Sequence, residues 1–75
     1  MNVYALEMYY PNSTPMFEVK LFKEKQTLLL YLREELETEE VLDNDEIDNM
    51  INEISWKGIT NFDEQEYEIK IKNII

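Results

Sequence analysis

Hydrophobic and polar positions along this chain change period twice, and each change marks an element boundary. Residues 3–10, Val-Tyr-Ala-Leu-Glu-Met-Tyr-Tyr, are aromatic or aliphatic apart from one charge. That is the make-up of a strand covered on much of both faces. Alternation puts Tyr4, Leu6, Met8 and Tyr10 on one side, and Val3, Ala5, Glu7 and Tyr9 on the other. Pro11-Asn12-Ser13-Thr14-Pro15 interrupts the ladder, because neither proline has an N–H to donate. From Met16 to Lys23 the alternation resumes, with Phe17, Val19 and Leu21 on one side and Glu18, Lys20 and Phe22 on the other. Strand, loop and strand predict a hairpin.

From Lys25 the period lengthens. Leu28, Leu29, Leu32 and Leu36 form the stripe of an amphipathic helix that starts near Gln26 or Thr27 and ends near Glu39 or Glu40. Leu30 and Tyr31 lie off the stripe. A second helix is expected from Asp43 or Asn44, with Glu46 placed after Asp43 as in a capping box. Its apolar face is Ile47, Met50, Ile51 and Ile54, and Gly58 stands where a left-handed cap would end it. Residues 59–64 read as a connector anchored by Ile59 and Phe62. Tyr67, Ile69 and Ile71 then alternate with Glu66, Glu68, Lys70 and Lys72, a strand with one wet face. The expected fold is one α+β domain over residues 1–75, in the order β-β-α-α-β. A three-stranded antiparallel sheet would carry both helices on one face.

Charge changes this picture, because it is concentrated. Residues 34–53 hold ten acidic side chains and no basic one, while the rest of the chain carries seven of each, so the net charge of −10 resides in this segment. Asp43, Asp45, Glu46 and Asp48 stand near a helix N-terminus, where an anion is favourable by about 0.3–1 kcal/mol. Glu37, Glu39 and Glu40 crowd the other helix's C-terminal end, where the dipole disfavours them. Glu35–Glu39 and Glu34–Glu37 are like-charge neighbours that each cost about 0.2–0.5 kcal/mol. Selection for stability alone would place lysines here. Drawn out as one helix, the segment would carry a charge about every 3 Å, close to the phosphate spacing of a DNA strand.

The chemistry available is narrow. With no cysteine or histidine, disulfides and the usual zinc sites are excluded. Asp43-Asn44-Asp45-Glu46-Ile47-Asp48 begins like an EF-hand loop, but Ile47, Asp48 and Ile54 occupy positions that require an oxygen ligand, a glycine and a glutamate. No metal and no cofactor is expected. Without a nucleophile–base pair or a phosphate-binding glycine loop, neither is catalysis. No signal-peptide pattern opens the chain and no apolar run approaches 18 residues, so a cytoplasmic setting is expected. A pI near 4.2 disfavours direct contact with nucleic acid or anionic lipid.

In size, charge and lack of chemistry, the chain resembles the small acidic inhibitors that phages and mobile elements direct against host nucleic-acid machinery. Anti-CRISPR proteins and uracil-DNA glycosylase inhibitors are of that type. The resemblance implies a stoichiometric inhibitor that blocks a basic, nucleic-acid-binding protein surface. Glu34, Glu35, Glu37, Glu39, Glu40, Asp43, Asp45, Glu46 and Asp48 would be its contact residues. The alternative is an adaptor or structural module that binds through an aromatic sheet surface, with Tyr9, Tyr10 and Tyr31 as anchors and acidity serving solubility. Trp56 and Tyr4 are expected in the core or at its rim. The first strand, if left at an edge, would allow a homodimer.

Overall fold

The computed structural model describes residues 3–62 and 66–74. Its elements run β1 (Tyr4–Tyr9), β2 (Phe17–Phe22), α1 (Lys25–Glu37), α2 (Asn44–Lys57), β3 (Ile59–Phe62) and β4 (Tyr67–Asn73). The α+β class is as expected, but the sheet has four strands, ordered β2-β1-β4-β3 with every neighbouring pair antiparallel. The additional strand, β3, occupies most of the stretch read as a connector. It is only four residues long, too short for alternation to announce it. Thr60 and Phe62 turn inward, while Ile59 faces away from the helices, only half-buried.

The core lies between the helices and one face of the sheet. Leu28, Leu32 and Leu36 of α1 and Ile47, Met50 and Ile54 of α2 pack on Leu6 and Met8 of β1, Phe62 of β3 and Ile69 of β4. Leu6, Leu28, Leu32, Leu36, Ile54 and Ile69 are completely buried. Truncating any of them to alanine would cost about 2–5 kcal/mol, a large share of the roughly 4–11 kcal/mol expected for a domain this size.

Helix ends follow from local chemistry. Asp43 caps α2, its carboxylate accepting from the Glu46 N–H at 2.8 Å, and Gly58 closes the helix at φ 82°. Helix α1 begins at Lys25 rather than at Gln26 or Thr27, with Glu24 as an N-cap whose side chain makes no capping bond. It ends at Glu37, earlier than the acidic run suggested. Thr38 stops it, folding its hydroxyl onto the Glu35 carbonyl at 2.7 Å.

The face presented by β2 inverts the usual rule. The β1–β2 register sets Lys20 opposite Leu6, so Glu18, Lys20 and Phe22 turn towards α1. Phe17, Val19 and Leu21 point outward and are 55%, 46% and 64% exposed. On the inner side, Phe22 packs at 5.5 Å on the ring of Tyr31, and the Lys20 ammonium sits 5.6 Å above the same ring. The lysine stem thus does the work of an apolar residue while its charge reaches an aromatic face.

Gly58 gives a direct test of this fold. A Cβ there would meet only the Ile71 carbonyl oxygen at an ordinary 3.5 Å, so the cost of Gly58→Ala comes from the left-handed backbone alone. The expected loss is about 1–2 kcal/mol, read as a lower urea midpoint with an unchanged slope, and Gly58→Asn should lose less.

Candidate functional site

The acidic segment does not form a straight rod. Helices α1 and α2 fold back on each other through residues 38–43, and the Arg33 guanidinium bridges them to the Asp48 carboxylate at 2.7 Å. The carboxylates therefore follow a path folded back on itself at the α1–α2 end, an acidic cap, and not the drawn-out helix whose spacing approaches that of phosphates. The turn closes through backbone bonds from Glu39 N–H to the Leu36 carbonyl at 3.1 Å and from Leu42 N–H to the Glu39 carbonyl at 3.2 Å.

Within the cap the structure divides the acids into two groups. Asp43 is a helix cap, and Asp45 and Glu46 lie in the first turn of α2, where the macrodipole favours them. Asp48 is paired with Arg33. Glu53 accepts from the Thr60 hydroxyl at 2.7 Å and from Lys57 at 3.3 Å, and these bonds hold its carboxyl below the usual range. Each of these acids thus serves the fold. Glu34, Glu37, Glu39 and Glu40 have no such role: among the described residues none makes an ion pair, and the last turn of α1 contains no basic residue. Glu35 makes no ion pair either, but its side chain is a hydrogen-bond partner of the Tyr31 phenol.

Two of these glutamates border a cleft. Glu35 and Glu39 on the α1 side and Glu18 of β2 line a space of about 230 Å³ together with Met8, Tyr10 and the loop residues Ser13 to Met16. A volume below the roughly 300–1,000 Å³ of small-molecule pockets suits one long side chain, and three carboxylates suit a cationic one.

The tyrosines are not equivalent. Tyr9 lies on the open sheet face and is 40% exposed, as an anchor would be. Tyr10 belongs to the interior instead, on the side of β1 that carries Leu6 and Met8. Its ring makes edge contacts with Phe62 at 6.0 Å and Tyr67 at 5.4 Å, and its hydroxyl is buried without a hydrogen-bond partner among the described residues. Burial, then the nearby Glu39 and Glu35, raises its pKa well above the ordinary tyrosine value. Tyr31 is half-buried beneath Phe22 and Lys20, and burial together with Glu35 pushes its phenol up to about 12. Trp56, expected in the core or at its rim, is 73% exposed, with the Lys57 ammonium 5.2 Å from its ring. It sits on the side of α2 opposite the Ile47–Met50–Ile54 stripe. Together with Lys25, Ser55 and Gly58 it borders a second cleft of about 290 Å³.

Three outcomes are expected. With a net charge of −10, screening should relieve self-repulsion, so the melting temperature should rise as salt is added. Tyr10→Phe removes a buried donor that has no partner and should leave stability unchanged or raise it by up to about 1 kcal/mol in urea titrations. The raised phenols also predict a pH dependence. The unfolded chain releases these protons near pH 10 and the folded chain later, so the contribution of the neutral phenols is complete below pH 10 and lost as pH climbs towards 12. Tyr31→Phe should shift the alkaline unfolding midpoint upward, followed by circular dichroism alongside phenolate absorbance.

Comparison of the chain with protein-family models, with curated proteins and with solved structures finds no match.

Proposed function

We propose that this protein is a non-catalytic inhibitor that docks its acidic cap on a basic, nucleic-acid-binding surface of another protein. The observation that carries the proposal is the group of glutamates at the end of α1, Glu34, Glu37, Glu39 and Glu40, none of which makes an ion pair among the described residues. Helix stability would favour cations there, so their retention points to a use outside the chain. The cleft between Glu18, Glu35 and Glu39 gives one lysine or arginine of the partner a defined seat. A folded-back cap suits a concave basic groove better than an extended phosphate track. The adaptor reading retains less support, because Tyr10 and Tyr31 are engaged inside the domain and only Tyr9 is presented.

The test is charge reversal. Glu37→Lys with Glu40→Lys replaces two exposed glutamates that make no ion pair among the described residues, so melting should be unchanged or slightly higher. Binding should fall by about a hundredfold or more, since like charges set against a basic surface cost several kcal/mol. Proteins retained by the immobilised chain at about 50 mM salt should elute by about 500 mM, and DNA or RNA should compete with the chain for them. Capture indifferent to both salt and charge reversal, or a complex that still binds nucleic acid fully, would refute the proposal. Tyr9→Ala should bind normally.

A further inference from the structure

β2 is an edge strand whose outer side is unpaired among the described residues. The ladder shows which backbone groups point there. Tyr10 N–H donates to the Met16 carbonyl directly opposite, at 2.7 Å, and antiparallel pairs alternate between bonded and non-bonded. Glu18, Lys20 and Phe22 therefore spend their backbone groups on β1. The N–H and C=O groups of Phe17, Val19 and Leu21 face the open edge, and the side chains of these same residues form the exposed apolar face. Six residues of extended edge without a proline, whose two charges, Glu18 and Lys20, lie on the inner side, leave Phe17, Val19 and Leu21 as an apolar outer row.

The sequence of this edge complements itself. Around Val19 it reads apolar, acidic, apolar, basic, apolar: Phe17, Glu18, Val19, Lys20, Leu21. We infer that β2 pairs antiparallel with β2 of a second copy, about a twofold axis that sets Val19 opposite itself. Only this arrangement of the strand satisfies three conditions together. Residues whose backbone groups are free meet one another, so Val19 pairs with Val19 and Phe17 with Leu21 of the second copy in hydrogen-bonded positions. Apolar side chains then stand opposite apolar ones on the outer face. On the inner face Glu18 stands opposite Lys20 of the second copy, twice, by symmetry. Shifting the register by one residue would bring bonded backbone groups against free ones, and shifting it by two would lose both charge pairs and set Glu18 opposite Glu18 or Lys20 opposite Lys20. The inference rests on β2 and not on the glutamates of α1, although it uses Glu18, which also lines the cleft beside them. It moves the self-pairing edge from β1, which lies inside the sheet, to β2.

The complementarity dictates the experiment. Sedimentation equilibrium at about 0.3 M salt, which screens the net charge of −10, should show a monomer–dimer equilibrium between about 10 μM and 1 mM, the range of a small interface. Glu18→Lys alone and Lys20→Glu alone should each weaken self-association about tenfold, by setting like charges opposite one another. An equimolar mixture of these two variants should recover the wild-type affinity, because each restores the pairs the other lacks. Val19→Pro should abolish the dimer while the monomer still melts cooperatively, since its lost N–H points to solvent in the monomer. Wild-type protein that stays monomeric at 1 mM would overturn the inference and leave the edge to a strand from another protein. A mixture no tighter than its components, or a folded Val19→Pro variant that still dimerises, would overturn it equally.

Discussion

Everything in this fold depends on the pairing of its first strand with its last. β1 and β4 lie side by side at the centre of the sheet, β2 is attached to one and β3 to the other, and both helices span the connection between the outer pair. Bringing together segments some 60 residues apart costs about 3–4 kcal/mol of chain entropy by the loop-closure relation. No single local contact repays that. The repayment comes from Leu6 and Met8 of β1 beside Ile69 of β4, roofed by the leucines of α1 and the isoleucines of α2. The helices are thus less a separate layer than the means by which the two ends of the chain become worth joining.

What could be read in the sequence divides along the same line. Both helices, their buried stripes, the Asp43 cap and the Gly58 stop follow from spacing, and so do β1, β2 and β4. β3 could not be read, because Ile59–Phe62 is too short to show a period and buries a threonine, Thr60, whose partner is Glu53 on the preceding helix. Trp56 was legible but hidden by its own hydrophobicity: the stripe through Ile47, Met50 and Ile54 turns position 56 outward. Tyr10 is the reverse case, since alternation with Leu6 and Met8 already set it on the core face.

The acidic segment shows how far sequence carries a functional reading. Composition located it, but only three-dimensional partners could sort it. Asp48 reaches back to Arg33 and Glu53 reaches forward to Thr60, contacts that no spacing rule supplies. Subtracting the acids that serve the fold leaves a smaller and more specific set at the end of α1. The cleft beneath it adds Glu18 from β2, a residue outside the acidic run altogether.

The unequal lengths of the two edges have a consequence for assembly. β2 offers six residues of backbone to a partner and β3 only four. If the long edges meet about a twofold axis, each copy spends its better template on the other, and only the short β3 edges remain outermost. Such a sheet is self-limiting: growth ends at two copies, because the geometry that joins the first pair leaves no equivalent seat for a third.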